Sequence, residues 1–159
     1  MKKELLKVFT MLTLIVTLAL ATAVVSANGQ STAKKVVASV PFEFSVGYKT
    51  MPAGEYSVQA IASAGDGLLI QSTDGKISAL RLADATERIK DKSQAHLVFH
   101  RYGERYFLAE VWNGTDNTGR QLKTSQEESA IASELASASE NAHAPNATYE
   151  IVEVLAVLR

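Results

Sequence analysis

The stretch AHLVFHRYGERYFLAEVWN, Ala95–Asn113, decides the fold because it holds two apolar runs on either side of one Gly-Glu pair. Glycine at position 103 tolerates a positive φ, so Gly103 and Glu104 suit a two-residue type II′ turn. Such a turn pairs Tyr102 with Arg105 and predicts a β-hairpin. We expect this hairpin to be the central element of an all-β domain.

The same turn fixes the register of the whole hairpin, since each residue of one run then has one partner in the other. The predicted pairs beyond the turn are Phe99–Leu108, Val98–Ala109, Leu97–Glu110 and His96–Val111. One face carries Leu97, Phe99, Arg101, Tyr106, Leu108 and Glu110, and the other His96, Val98, His100, Phe107, Ala109 and Val111. Because both faces are mainly apolar, we expect both to be covered over part of their length. A longer turn would shift this register.

Length and composition limit the possible classes of protein. The 159 residues suit one domain, and the chain has no cysteine, which excludes disulfides, thiolate nucleophiles and cysteine zinc sites. The net charge is -1, and it becomes -3 when the first 27 residues, with three lysines and one glutamate, are removed. A mildly acidic chain of this kind argues against nucleic acid or an anionic membrane as the main partner.

The N-terminus has the pattern of a secretory signal peptide over Met1–Ala27. Three lysines precede the apolar run Val8–Val25, and Val25-Ser26-Ala27 supplies the small residues of a cleavage site. A transmembrane anchor is the alternative, because the run is about 18 residues long. Cleavage would leave residues 28–35 as a flexible leader and residues 36–159 as a single β domain without a stable membrane anchor. We therefore expect a periplasmic or extracellular location.

Period-two alternation and turn residues predict about seven strands in the domain. They are Val36–Val46, Glu55–Ala62, Leu68–Ser72, Ile77–Ala83, the two strands of the central hairpin and Tyr149–Leu158. Asp74-Gly75 marks a hairpin turn, whereas Gly47–Gly54 and the charged Asp84–Gln94 are predicted as loops, the latter with at most one helical turn. Residues 120–123 are a possible further extended segment.

Ser125-Gln126-Glu127-Glu128 has the capping-box pattern and predicts a surface helix over about 126–139. Its apolar stripe is narrow, with Ile131, Leu135 and Ala138. The elements together predict an all-β fold with one surface helix. We expect a small antiparallel barrel, with a two-sheet sandwich as the alternative, because consecutive hairpins favour a meander.

Three segments carry a resemblance to a known group of proteins. VPFEFSVGYKTMPAGEYSV (Val40–Val58), LLIQSTDGK (Leu68–Lys76) and LVFHRYGERYFLAEVW (Leu97–Trp112) resemble small exported β-domain proteins of environmental bacteria. The resemblance covers most of residues 40–132. It implies a shared exported domain plan, and it brings no activity, ligand or catalytic residue with it.

No chemical motif in the sequence defines an active site. His96 and His100 share a strand face but lie about 13 Å apart along it, too far for one metal ion. His143 is expected in a loop. There is no Gly-x-Ser-x-Gly elbow and no glycine-rich phosphate loop before a helix. We therefore predict no catalytic, metal or cofactor residues and no cofactor.

Aromatic residues of the hairpin are the best candidates for ligand contact. Tyr102, Tyr106 and Trp112 would form a stacking surface for a sugar if exposed, with Arg101 beside them, although core packing is the usual role of hairpin aromatics. The sequence thus predicts a non-enzymatic exported protein with a binding or envelope role. The alternatives are a barrel that binds a small molecule or glycan, and a periplasmic hydrolase that no motif supports. The partner would be a small ligand or an envelope component, and the oligomeric state is open.

Overall fold

The structure, a computed structural model, describes residues 34–61, 66–88, 94–115, 117–142 and 149–159, with side chains of the helix up to residue 138. The predicted signal peptide, most of the leader and His143 lie outside these residues. Residues 33–159 form one compact unit. In the described part of the chain no helix is long and apolar enough to cross a membrane.

The described residues form ten strands and one helix. The strands are β1 (Lys35–Val40), β2 (Phe44–Val46), β3 (Lys49–Met51), β4 (Gly54–Ala60), β5 (Gly67–Ser72), β6 (Ser78–Glu87), β7 (His96–Tyr102), β8 (Arg105–Trp112), β9 (Thr118–Leu122) and β10 (Glu150–Leu158). The helix, α1, spans Gln126–Ala142 between β9 and β10.

Eight of these strands close into an antiparallel barrel in the order β1-β4-β5-β6-β9-β8-β7-β10, with β10 pairing back to β1. The predicted small barrel is confirmed, and the two-sheet sandwich is not formed. The meander is interrupted twice, because β6 pairs with β9 instead of β7, and β10 pairs with β7 instead of β9. The final strand lies between β7 and β1, so it joins the first strand to the central hairpin.

The additional strands arise where the sequence predicted one long strand, a loop and a possible extended segment. Pro41 ends β1 because proline cannot donate to a strand ladder, so Val36–Val46 is two strands instead of one. Residues 47–54 are not a simple loop: Gly47, at φ 68°, turns β2 into β3. Asp84–Glu87 was predicted as loop and instead continues β6, since β9 supplies its partners.

The β2–β3 hairpin and β9 share one edge of β8. Ser45 of β2 pairs in parallel with Phe107, whereas residues 110–112 of β8 pair with β9. The gap between β8 and β6, which we call the barrel seam, is therefore filled by β9 at one end and by β2 and β3 at the other.

The barrel interior is filled by side chains, as expected for about eight strands. Phe44 meets Tyr56 and Phe99 edge to face at centroid distances of 5.0 and 5.2 Å, and all three are at most 2% exposed. Phe42 joins them against Phe99 at 5.2 Å. These contacts place the core at the crossing of the β2–β3 hairpin and the central hairpin.

The central hairpin has the predicted two-residue turn, with Gly103 at φ 61°. The register is as predicted from Tyr102–Arg105 to Phe99–Leu108 and then shifts by one residue. The three pairs predicted beyond the shift are therefore wrong: the structure pairs Val98 with Glu110, Leu97 with Val111 and His96 with Trp112. This bulge turns Val111 into the core and leaves Glu110 outside, because the extra residue reverses the alternation.

The helix begins as the capping pattern predicts and continues three residues beyond the predicted end. The Glu128 N–H donates to Ser125 Oγ at 3.1 Å. Glu128 does not complete the box in the usual way, because its carboxylate accepts a hydrogen bond from His100 of β7. The helix is thus fixed to the outside of the central hairpin at its first turn.

Candidate functional site

The outer face of the central hairpin is buried as well as the inner one. Val98 and Phe107 are both 1% exposed, yet they lie outside the core cluster. This two-sided burial agrees with the apolar pattern of both faces. Two polar networks lie on the same outer face, one at each end of the hairpin.

The first network is centred on Arg88, at the end of β6. One Nη donates to Glu110 Oε2 at 3.1 Å, and Trp112 Nε1 donates to the same carboxylate oxygen at 2.7 Å. The guanidinium also lies 4.5 Å from the centroid of the Trp112 ring, and the other Nη lies 3.6 Å from Glu153. Arg88 therefore joins β6, β8 and β10 across the outer surface.

His96 completes this network and has a defined tautomer. Its ring stacks parallel to Trp112 at 5.9 Å. Because the Gln94 carbonyl only accepts and the guanidinium of Arg88 only donates, the ring carries its hydrogen on Nδ1 and accepts on Nε2. Trp112 lies over Gly119 of β9, where a Cβ would come within 2.7 Å of the indole. The sequence analysis missed this role of Gly119, since a glycine within a turn-rich stretch gives no sign of its neighbour.

The second network is centred on Glu128, which is only 5% exposed. Its Oε1 accepts from His100 Nδ1 at 2.8 Å and from the Tyr102 hydroxyl at 3.5 Å. His100 also stacks on Tyr149, the residue directly before β10, at 3.9 Å. Burial, with the nearby Glu128 carboxylate, raises the pKa of Tyr102 to about 12. This network joins α1, β7 and β10.

The four residues proposed for ligand contact fall into three places. Arg101 lies 5.5 Å from the Tyr106 ring centroid and pairs with Glu150 at 3.0 Å. Tyr106 stacks on Phe42 at 3.9 Å, and both line a surface cleft of about 280 Å³. Tyr102 and Trp112 are 7% and 4% exposed and belong to the two outer networks. The structure therefore brings Arg101 and Tyr106 together and separates them from Tyr102 and Trp112.

A second cleft, of about 440 Å³, lies between β3 and the first half of β6. Its lining includes Tyr48, Lys49 and Arg81. The sequence analysis missed these residues, because Tyr48 and Lys49 fell in a predicted loop and Arg81 in the alternation of a strand. The sequence feature that could have indicated this cleft was a basic residue, Lys49, directly after Gly47-Tyr48. A third cleft, of about 430 Å³, lies beside the β5–β6 turn and includes Asp74 and Lys76.

The histidines are placed apart, each with its own partners. His96 belongs to the Arg88 network and His100 to the Glu128 network. Within the part of the chain that the structure describes, no three His, Cys, Asp or Glu side chains are grouped to hold a metal ion.

No protein-family model, no curated protein and no solved structure matches this chain. The resemblance to small exported β-domain proteins therefore stays a prediction, and the function has to be argued from the geometry alone.

Proposed function

We propose that this chain is an exported, non-enzymatic β-barrel protein that acts by binding or as a component of the cell envelope. The observation that carries the proposal is the filled barrel. Phe44, Tyr56 and Phe99 occupy the interior with at most 2% exposure, and Met51 of β3 is fully buried among the core residues. A partner would therefore meet the outer surface or the clefts at its rim.

The titratable side chains of the central hairpin and of the first turn of α1 support the same role. Glu110, Glu128, His96 and His100 each have short contacts that join separate strands or fix α1. Groups engaged in this way stabilise the position of neighbouring elements, and they are not directed together into one cleft, as a general acid and base would be.

The export part of the proposal is supported by the sequence of residues 1–27. Three lysines, an apolar run and a small-residue cleavage pattern occur there in the order of a secretory signal. Removal of this segment would leave the barrel unit with its first strand beginning only a few residues after the new N-terminus.

A second candidate function is binding of a small molecule or glycan. The clefts beside Tyr106 and between β3 and β6 favour it, because about 300–1,000 Å³ is the usual size of a ligand site. The cleft between β3 and β6, of about 440 Å³, lies in the lower part of this range, and the cleft beside Tyr106, of about 280 Å³, lies just below it.

Export is tested by expressing the full chain in a bacterial host, fractionating the cells and measuring the mass of the recovered protein. We expect a processed chain that begins at Asn28, outside the cytoplasm. A chain lacking residues 1–27 is the control and should remain in the cytoplasm. An intact leader on a cytoplasmic protein would contradict the proposal.

The mode of action is tested by native mass spectrometry of the recovered protein. The mass of the polypeptide alone supports the envelope role, whereas a bound small molecule supports the second candidate. Steady hydrolysis of chromogenic ester, glycoside or peptide substrates above a heat-denatured control would overturn the non-enzymatic assignment.

A further inference from the structure

The cleft lies in the barrel seam, where β3 and β6 face each other without a ladder of backbone hydrogen bonds between them. Among the strands that the structure describes, β3 pairs only with β2, and residues 78–82 of β6 pair only with β5. Lys49 Nζ crosses the gap and donates to the Ser78 carbonyl at 2.7 Å. The carbonyl of Ser78 is therefore directed away from β5 and into the cleft.

Two cations converge on this cleft without a counter-ion. Among the described residues neither Lys49 nor Arg81 has a carboxylate partner, and the cleft lining contains no acidic side chain. Arg88, Arg101 and Arg105, by contrast, each pair with a glutamate. The two side chains therefore give this cleft uncompensated positive charge in a protein whose net charge is -1.

The backbone at Gly47 leaves room for the Arg81 side chain. Its guanidinium lies against Gly47, where a Cβ would come within 2.7 Å of the Cζ atom, and the φ of 68° at Gly47 also favours glycine. One Nη donates to the Lys123 carbonyl at 3.3 Å, while Nε is buried without an acceptor. Because Nε is enclosed by protein atoms, a ligand in the cleft would meet an Nη group of Arg81.

An aromatic side chain stands at the edge of the same cleft. Tyr48 is 91% exposed, so its ring contributes almost nothing to the core. Thr50 and Ser78 add hydroxyl groups to the lining. An exposed ring offers a stacking face to a sugar, hydroxyls exchange hydrogen bonds with it, and paired cations match a carboxylate.

We infer that this cleft binds an acidic saccharide, with the carboxylate between Lys49 and Arg81 and the sugar ring against Tyr48. The inference rests on the proposed binding role and names the class of ligand. Tyr48, rather than the buried Tyr102 or Trp112, is then the sugar-stacking residue.

The test is calorimetric titration of the purified chain with a glucuronic acid trisaccharide, compared with the matching neutral glucose trisaccharide. We expect the acidic sugar to bind about tenfold more tightly, because charge-assisted hydrogen bonds are stronger than neutral ones. Lys49→Met and Tyr48→Ala should each weaken binding several-fold. Both residues are exposed, so these variants should keep the melting temperature of the original chain. Lys35→Met, an exposed cation on β1, is the matched control and should bind normally.

Three results would overturn the inference. They are equal affinity for the acidic and neutral sugars, complete competition by inorganic phosphate with no effect of Tyr48→Ala, and no binding of the acidic sugar by a folded chain. The second result identifies a simple oxyanion site. Any of these results leaves export and processing untouched, whereas a cytoplasmic, unprocessed chain that still binds the sugar would overturn only the proposed location.

Discussion

The β5–β6 and β7–β8 hairpins are both antiparallel strand pairs of the barrel, but their surroundings differ. Each has one face in the barrel core. On the outer face of β6, Leu80 and Leu82 are 60% and 65% exposed, whereas Val98 of β7 and Phe107 of β8 are each 1% exposed. The difference shows that alternation sets which side chains share a face, and that the rest of the chain decides whether that face is covered.

The largest difference between the hairpins should appear when one apolar side chain is truncated in each. Phe99→Ala should lower the free energy of unfolding by about 3–5 kcal/mol, because it empties a site in the packed interior. Leu80→Ala should change it by less than about 0.5 kcal/mol, since that side chain is mainly in solvent. Urea denaturation measures both values. Similar losses in the two variants would contradict the comparison.

The outer face of the central hairpin is tested by Trp112→Ala. We expect a loss of about 3 kcal/mol, near the lower end of the range for buried aromatic residues, because the indole packs on Gly119 and donates to Glu110. Trp112→Phe retains the ring and serves as the control, with a smaller loss. A change below about 1 kcal/mol on Trp112→Ala would indicate that this face adds little to stability.

Substitutions of Glu127 and Glu128 compare an exposed contact that anchors α1 with a buried one. Glu128→Ala should cost about 1–3 kcal/mol, because His100 and Tyr102 lose a buried acceptor. Glu127→Ala removes only the half-exposed pair with Arg105 and should cost about 0.2–1 kcal/mol. Denaturation of the two variants under the same conditions gives the comparison. Equal costs would show that burial of Glu128 does not strengthen its contacts.

The last effect appears only at alkaline pH. The ordinary pKa of tyrosine is about 10, and Tyr102 is raised to about 12 in the folded chain. Folding thus favours the neutral phenol, so its contribution to stability is complete below pH about 10 and is lost as pH rises to about 12.

This contribution is isolated by comparing Tyr102→Phe with the original chain in urea from neutral pH to about pH 12. The variant should lose less stability at the alkaline end. Tyr48→Phe alters an exposed ring and should follow the original curve. Parallel curves for all three proteins would contradict the role of Tyr102.

The fold was predictable where local chemistry decides it. Gly103 and Gly75 both take the positive φ that their turns require, and Ser125 caps the helix that the capping pattern predicted. The bulge in the central hairpin was not predictable, because Ala109 and Glu110 have no local feature that demands an extra residue. The short strands were predicted incompletely: β2 was joined to β1 in one strand, β3 fell in a predicted loop, and only residues 120–123 of β9 were a possible extended segment. β2 and β9 depend on partners distant in sequence, in β8 and β6, which local patterns do not reveal.

The candidate sites show the same limit. Aromatic character marked Tyr102 and Trp112, but their burial depends on Glu128 and Gly119, which lie elsewhere in the chain. Arg81 and Lys49 are 32 positions apart in sequence and reach one cleft only because β3 enters the barrel seam. The strand order of the barrel brings these two residues together, and that order could not be inferred from a single sequence.

The two ends of the barrel domain are held side by side. Lys35 and Arg159 exchange both backbone hydrogen bonds, at 2.7 and 2.8 Å, as the first and last strands pair. A short linker between them would therefore join the ends without strain, and new ends opened at Gly75 in the exposed β5–β6 turn would give a circular permutant with every barrel strand retained. The same adjacency means that β1 of a nascent chain lacks one of its two neighbours until β10 has been made.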